Sequence, residues 1–328
     1  MIQREVNLNE MHTRIDRRAF LAGAVGAVAL GHVARAAAAS AAIIDTHQHL
    51  WDLKRFDLPW LKGDGRLNRN FTEEDYAKAV EGLNVVKAVY EEVDVVPSQK
   101  QAEVDYVVDL CRSKRTRTVA AIVGGDPASQ GFEKYVGAFK GSPYIKGLRH
   151  GYRRGGFEDQ AFVKGVRLLG EMGLTFDLNM GSDLAVESAK LVEACPETRF
   201  VLDHCGNPNV KWFANSAGEN DGFRTARKRW EDGIIRLAGL KNVVCKISGV
   251  AESGDDGKVT AQVVAPAINF CLDRFGEDRV MFASNWPVCL KTITLADWVG
   301  VLRDVVKGRG EKFERKLFSE NAGRFFGL

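Results

Sequence analysis

The sequence predicts a (β/α)8 barrel, also called a TIM barrel, because eight short apolar runs recur and longer amphipathic segments separate most of them. Continuous apolar strands that alternate with helices are typical of a parallel sheet covered by helices. Eight such units within about 290 residues fit a single barrel domain. An open, doubly wound sheet is the alternative that this pattern leaves open. The predicted strands span residues 42–45, 85–93, 118–123, 145–148, 174–178, 200–202, 243–247 and 280–282. Amphipathic patterns predict helices at 101–111, 162–172, 183–194 and 261–275.

Most of the predicted strands end in side chains that can take part in chemistry. These are His47 and His49 after the first run, Glu91 and Glu92 at the end of the second, Arg149 and His150 after the fourth, Asp203 and His204 after the sixth, Lys246 in the seventh, and Asn285 after the eighth. The carboxyl ends of all barrel strands meet at one mouth. We therefore expect these groups to surround one small volume.

The His-x-His pair at the end of the first strand is the strongest of these signals. Side chains two residues apart on a strand point to the same side, so His47 and His49 can hold a metal or a substrate together. Two histidines that only cap a strand by hydrogen bonds are the alternative. The presence of His204 at the end of another strand favours a shared site.

The first forty residues have the order of regions found in export signals. Arg17 and Arg18 precede an uncharged run at residues 20–30, and small residues dominate residues 34–42. This order predicts a twin-arginine signal peptide over residues 1–40 and a periplasmic or secreted protein. The apolar run is too short to span a membrane. An uncleaved anchor and an accidental arginine pair are the alternatives. The remaining residues, 41–328, are predicted to form one domain.

The composition limits the partners. The chain has 46 Lys and Arg residues against 43 Asp and Glu, so it carries no basic field for nucleic acid. A small-molecule substrate is the expected partner, without membrane contact once the signal is removed, and the oligomeric state is left open. The six cysteines contain no C-x-x-C pair, which argues against a zinc ribbon. Buried free thiols are favoured over disulfides.

The motif Asp45-x-His47-x-His49-x-Trp51 is similar to the opening motif of the amidohydrolase-2 type proteins. It is most similar to the lactonase branch, which contains fuconolactonases, sulfomuconolactone hydrolases and pyrone-dicarboxylate lactonases. Further matches follow in order along the chain. They are Lys146-Gly147-Leu148-Arg149, Asp203-His204-Cys205-Gly206-Asn207-Pro208, Lys246-Ile247-Ser248-Gly249, residues 279–288, and Asn321-Ala322-x-Arg324-Phe325-Phe326.

This resemblance implies a barrel enzyme that opens the lactone ring of a sugar acid or an aromatic breakdown product. It implies that His47, His49 and His204 line the site. By matched position, Arg149 would bind a substrate carboxylate or polarise the carbonyl, since a guanidinium fork suits a planar carboxylate. An ordinary surface salt bridge is the alternative for Arg149.

Four further residues are candidates for contact with the substrate. Lys246 would help to stabilise the developing oxyanion; an ammonium group that only extends to solvent is the alternative. Glu92 is a candidate ligand or acid–base group, or else a solvated acid. Trp51 and Trp286 would form an apolar wall, or else only pack.

One position departs from the family pattern. The last strand of the family usually ends in Ser-Asp-Trp-Pro, and the Asp is expected to be the general base that activates water. This chain has Ser284-Asn285-Trp286-Pro287. An amide cannot take up a proton near neutral pH, so Asn285 can only orient a water or bind the substrate. A base would then have to come from His204, His49 or Glu92.

The sequence leaves open whether the site holds a metal ion. His47, His49 and His204 could hold one zinc ion with an open position for water. Loss of the closing Asp removes a ligand, and a lactone is activated enough to open without a metal. A metal-dependent decarboxylase or amide hydrolase and a non-catalytic binding protein are the rival functions. Residues 52–71, 150–157 and 211–225 are predicted to form lids over the site.

Overall fold

The computed structural model describes residues 41–151, 159–214, 220–255 and 258–328. The predicted signal peptide, residues 1–40, lies outside the described residues. The strands in these ranges are β1 (Ile43–Gln48), β2 (Val85–Glu91), β3 (Thr118–Gly124), β4 (Ile145–Gly151), β5 (Thr175–Asn179), β6 (Arg199–Leu202), β7 (Val243–Ile247) and β8 (Val280–Phe282). The helices are α1 (Glu73–Ala79), α2 (Lys100–Ser113), α3 (Phe132–Gly137), α4 (Gln160–Glu171), α5 (Ala185–Ala194), α6 (Asp221–Gly239), α7 (Ala261–Phe275), α8 (Leu295–Val306), α9 (Glu311–Arg315) and α10 (Asn321–Phe326).

The strands pair in parallel and in chain order from β1 to β8. The last strand returns to the first. The Thr46 hydroxyl donates to the carbonyl of Phe282 at 2.7 Å, and the His49 amide donates to the carbonyl of Trp286 at 2.7 Å. A doubly wound sheet would place its first strand in the interior of the strand order. The (β/α)8 barrel prediction is confirmed, and the open-sheet alternative is excluded.

The predicted strands and helices correspond closely to the observed ones. Every predicted run overlaps one strand, and α7 has the predicted bounds. β1 extends three residues beyond its predicted end and so includes His47. Several helices begin at a capping side chain, as the sequence requires. Asp159 accepts from the amide of Ala161 at the start of α4, and Asn220 accepts from the amide of Phe223 in α6.

The interior of the barrel is built in layers. One apolar layer includes Val89, Val201 and Val244, and Ala322 and Phe326 of α10 pack against it. The C-terminal helix therefore covers this end of the interior. Two positions further along the same strands, on the same face, the side chains are charged: Glu91, Asp203 and Lys246. Strand alternation thus places ionisable groups directly above the apolar layer.

The cysteines agree with the prediction of buried free thiols, since all six are unpaired and buried. The sulfur atoms of Cys205, Cys245 and Cys271 lie within 4.8 Å of one another. Within the described ranges, no helix has both the length and the apolar character needed to cross a membrane.

The contact between α4 and the β3–α3 loop leads to a stability prediction. A Cβ atom on Gly165 would lie 2.2 Å from the backbone oxygen of Pro127, which cannot move aside as a side chain could. We expect Gly165→Ala to destabilise the fold by about 1–3 kcal/mol through overpacking. The matched control is Gly300→Ala on exposed α8, where the added atom meets nothing within 4 Å. It should stabilise by about 0.5–1 kcal/mol. Denaturant unfolding of both variants tests this, and equal effects would contradict the packing argument.

Candidate active site at the barrel mouth

Three histidines converge at the carboxyl ends of the strands, as the sequence predicted. The Nε2 atoms of His47 and His49 are 3.1 Å apart, and the rings of His47 and His204 have centroids 4.5 Å apart. His47 is fully buried, whereas His49 and His204 retain 5% and 8% exposure. The last two imidazoles therefore border space that a water molecule can reach. We call these three residues the histidine cluster.

A change of register in β1 places His47 in this cluster. The pairing with β2 shifts between Asp45 and Gln48, so Asp45 does not face the histidines. The Asp45 carboxylate instead accepts hydrogen bonds from the Tyr76 hydroxyl at 2.8 Å and from the amide of Ser284 at 2.9 Å. It ties the end of β1 to α1 and to the segment after β8. Asp45 is thus a structural anchor of the site.

His204 occupies a strained turn after β6. It has a φ of 55°, in the left-handed region that residues with a side chain rarely adopt. Gly249, with a φ of 69°, approaches it so closely that an added Cβ would lie 2.3 Å from the Cβ of His204. The Nδ1 atom of His204 lies 2.8 Å from the Ser248 hydroxyl oxygen. The segment after β7 therefore fixes both the position and the rotation of this imidazole.

The tautomer of His49 follows from its neighbour. Its Nδ1 atom is 3.0 Å from the backbone carbonyl of Glu91, which can only accept a hydrogen bond. The proton is therefore on Nδ1, and the lone pair of Nε2 faces His47. This is the arrangement of a histidine that receives a proton or a metal at Nε2.

A buried lysine lies beneath the histidine cluster. Lys246 Nζ is 2.6 Å from Asp177 Oδ2, 2.7 Å from Glu91 Oε2 and 3.1 Å from Asp203 Oδ1. It also lies 3.2 Å from His47 Nδ1. All of these side chains are fully buried. We call Lys246 and its three carboxylates the ion cluster. Lys246 thus differs from the predicted oxyanion contact: it is fully engaged below the accessible surface and supports His47.

The shifts in pKa within the ion cluster follow from burial and from the shared ammonium group. Burial opposes the charged form of Lys246, but the three carboxylates outweigh it and raise its pKa. Burial raises the pKa of Asp177 to about 6, against the attraction of Lys246. Burial also acts to raise the pKa of Asp203, but Lys246 and His47 together hold it well below its usual value. Asp203 therefore keeps its negative charge beside His47.

Arg149 and Glu92 form a pair at the edge of the histidine cluster. Arg149 Nε donates to Glu92 Oε1 at 2.8 Å, and Nη2 donates to the Glu92 backbone carbonyl at 2.8 Å. Nη1 points toward His47 Nε2, at 3.5 Å. The other carboxylate oxygen of Glu92 accepts from the amide of Asp94 at 2.8 Å. Glu92 therefore serves to orient the guanidinium, and Arg149, at 7% exposure, borders the accessible space.

Burial lowers the pKa of each histidine. It lowers the pKa of His49 to about 3, with Arg149 adding to the effect, and that of His204 to about 4. The pKa of His47 lies well below its usual value because of burial and of Lys246. All three imidazoles are neutral at pH 7 and present lone pairs.

The donor atoms in this region fit a divalent metal ion. Ligand atoms of His47, Asp203 and His204 lie within 4.8 Å of one another. Asp203 has close ion-pair partners, but neither of its carboxylate oxygens makes a well-aligned hydrogen bond within the described part of the chain. Two imidazoles and such a carboxylate are a suitable donor set for zinc. This set contains Asp203 where the sequence analysis had His49, and ligation of a metal by His49 stays a prediction.

Asn285 has a partner that the sequence analysis did not identify. Its Nδ2 donates to Glu252 Oε1 at 2.7 Å. Glu252 lies in the short turn Ala251–Ser253 after β7 and is partly exposed. Burial of its carboxyl group raises its pKa to about 7, although the bond from Asn285 acts in the opposite direction. Asn285 has a φ of 56°, a conformation that asparagine tolerates better than most residues.

The two tryptophans pack against other aromatic rings. Trp51 makes edge contacts with Trp60 and Phe71, and Trp286 with Phe71 and Tyr76. Exposure is 1% for Trp51 and 2% for Trp286. The packing alternative accounts for both rings, and a substrate contact stays a prediction.

The remaining strand-end and loop residues lie apart from the histidine cluster or outside the described chain. His150 faces away from it, 4.0 Å from Asp126, as alternation with Arg149 requires. Parts of two predicted lids, residues 152–157 and 215–219, lie outside the described residues.

Sequence reasoning missed the contributions of Asp177, Asp203 and Glu252. A signal was present for Asp177, because a lone acid within the apolar run 174–178 must find a buried cation. Asp203 precedes His204 in a matched motif but has no role assigned from the pattern alone. Nothing in the sequence connects Glu252 with Asn285, since 32 positions lie between them.

The ion cluster leads to a second prediction. Lys246→Met removes the ammonium group that three buried carboxylates share, and breaking a buried ion pair in this way costs about 3–5 kcal/mol. We expect a loss of that size in denaturant unfolding. The control is Lys312→Met, because the Lys312 ammonium pairs with Glu277 at the exposed surface. A Lys246 variant as stable as the control would show that the cluster contributes no stability.

Sequence similarity to known proteins identifies the family of this chain. The amidohydrolase family model matches residues 44–328. An L-fucono-1,5-lactonase of Burkholderia multivorans is 27% identical over 298 residues, covering 87% of this chain and 96% of that protein. An L-rhamnono-gamma-lactonase of Scheffersomyces stipitis is 23% identical over 336 residues, covering 87% and 98%.

Solved structures show the same fold. Two crystal structures of an amidohydrolase from Burkholderia multivorans, one with bound HEPES and one with bound zinc, have TM-scores of 0.77 and 0.76 at 24% and 23% identity. Each comparison covers 88% of this chain and 100% of that one. With the family model matched from β1 to the C-terminus, this chain is a hydrolase that belongs to the amidohydrolase family.

Proposed function

We propose that this chain hydrolyses the lactone of a sugar acid at the histidine cluster. The observation that carries the proposal is its nearly full-length similarity to two relatives named as lactonases of sugar acids. The site is consistent with this reaction: a guanidinium fixed by Glu92 lies beside neutral imidazoles, and His49, His204 and Arg149 retain 5%, 8% and 7% exposure. Hydrolysis of a lactone requires a polarised carbonyl, an oriented water molecule and donors that stabilise the developing negative charge.

The residues have distinct roles in this proposal. Arg149, held by Glu92, donates to the lactone carbonyl oxygen and stabilises the charge that develops there. His49 and His204 orient the attacking water. Lys246 holds His47 and Asp203 from below and does not contact substrate. Uncharged imidazoles and the positively charged Arg149 suit a substrate that becomes negatively charged during the reaction.

A bound divalent metal fits the same site. His47, Asp203 and His204 would hold it, and it would supply Lewis acidity toward a carbonyl oxygen. Zinc suits the imidazole donors. The Lys246 ammonium lies 3.1 Å from Asp203 and already supplies one positive charge to that carboxylate. Metal analysis with and without chelation therefore belongs in the assay.

The proposal is tested with a panel of γ- and δ-lactones of sugar acids, measuring acid release by purified, metal-analysed protein with and without chelator. We expect hydrolysis by the wild type and a loss of at least about 100-fold in kcat/KM for Arg149→Met, the size of effect seen when an oxyanion donor is removed. Arg112→Met on the exposed face of α2 is the control and should retain wild-type activity. Release of CO2 from aromatic carboxylates without lactone hydrolysis would instead support the decarboxylase alternative.

We further propose that residues 1–40 direct export through a twin-arginine route. Support comes from Arg17 and Arg18 before an apolar run and small residues. In a bacterial host with this pathway, the wild type should appear outside the cytoplasm as a shortened chain. The double variant Arg17→Lys/Arg18→Lys should stay inside at full length, whereas the control Arg14→Lys should be exported. Cell fractionation with mass spectrometry tests this, and export of the double variant would refute it.

A further inference from the structure

The barrel mouth contains a carboxylate that the family motif does not provide. The end of β8 carries an amide at Asn285, where the family usually carries an aspartate. The Asn285 amide donates to Glu252 at 2.7 Å. A carboxylate therefore lies at this edge of the mouth on a different element, the turn that follows β7.

The position of the Glu252–Asn285 pair links it to the histidine cluster. The segment that leads to Glu252 begins at Gly249, which packs directly against His204. On the other side, the His49 amide donates to the backbone carbonyl of Trp286, the residue that follows Asn285. The pair thus joins the loop behind His204 to the strand end beside His49.

The surroundings of Glu252 suit proton transfer. Glu252 is partly exposed as a residue, but its carboxyl group is buried beside Asn285, which retains 6% exposure. The charged or titratable groups that act on it are the Cys205 thiol, the Cys289 thiol below and the Lys291 ammonium. Lys291 is engaged with Asp64 at 2.8 Å. Within the described ranges no cation forms an ion pair with the Glu252 carboxyl group, in contrast to Glu92, which Arg149 neutralises.

We propose that Glu252 is the general base of this enzyme and that Asn285 is a positioning residue which holds its carboxylate toward the substrate water. The inference rests on the proposed lactone hydrolysis and deepens it. It replaces the candidates that the sequence offered, His204, His49 and Glu92. In this proposal Asn285, at the end of β8, donates a hydrogen bond, and Glu252, on the neighbouring loop, accepts the proton from water.

The reaction then balances as follows. The Glu252 carboxylate takes one proton from water while the water oxygen forms a bond to the lactone carbonyl carbon. The negative charge passes to the carbonyl oxygen, where Arg149 stabilises it. The tetrahedral intermediate collapses and breaks the ring C–O bond. The ring oxygen receives the proton back from Glu252, and the product is the open hydroxy acid.

The test uses the full chain and a lactone that the wild type hydrolyses. Glu252→Gln should reduce kcat at least 100-fold, since removal of a positioned base typically costs 10²–10⁴-fold. The swap Glu252→Gln/Asn285→Asp restores a carboxylate to the pair and should recover at least tenfold over Glu252→Gln. Glu197→Gln, an exposed residue before β6, is the control and should match the wild type.

The pH profile separates a chemical role from a structural one. Wild-type kcat/KM should fall as pH drops through about 7, the raised pKa of Glu252, because a protonated carboxyl cannot act as a base. Glu252→Gln should lose this acidic limb. Asn285→Asp should move the limb to higher pH, since a second carboxylate in contact disfavours ionisation of the first.

Two results would overturn the inference and leave the lactonase proposal intact. They are a Glu252→Gln variant with wild-type kcat and an unchanged profile, and a limb that does not move in Asn285→Asp. If Glu252→Gln fails to fold, the pH profile of Asn285→Asp still tests the inference. A wild type that opens no lactone would remove the proposed function and this inference with it.

Discussion

The buried contact between Lys246 and its three carboxylates is the constraint on which the rest of the site depends. An ammonium group 2.6–3.1 Å from Asp177, Glu91 and Asp203 joins groups that follow or belong to four strands around the barrel. Charges of this kind are stable in an interior only when they are paired. His47 Nδ1 lies 3.2 Å from the same ammonium group, so the pairing of these buried charges also fixes the position of the His47 imidazole.

The same principle organises the edge of the mouth. Each group exposed to the accessible space is held by a partner that is more deeply buried or on a neighbouring strand. Glu92 holds Arg149, Ser248 holds His204, and the backbone of Glu91 holds His49. Because these partners fix rotation as well as position, the reacting groups need little rearrangement when substrate binds. The loops can then vary without disturbing the chemistry.

The sequence predicted the fold and the outer members of the site for physical reasons. Strand alternation and the convergence of strand ends are enough to bring together His47, His49, His204 and Arg149. The partners could not be predicted in the same way. Whether Lys246 meets substrate or carboxylates depends on its depth in the barrel, which local pattern does not encode. The Glu252–Asn285 contact depends on the path of the loop after β7, which has no periodic signal.

The C-terminal helix α10 protects the charged groups at the barrel mouth from the other end of the barrel. Phe326, two residues from the chain terminus, packs on the apolar layer directly below the ion cluster. Solvent that entered there would hydrate the buried charges and raise the local dielectric constant, which weakens every electrostatic contact that positions His47. The final turn of the chain thus acts as a seal. Removal of Phe326 would open this layer to water and would act on the site without touching any of its residues.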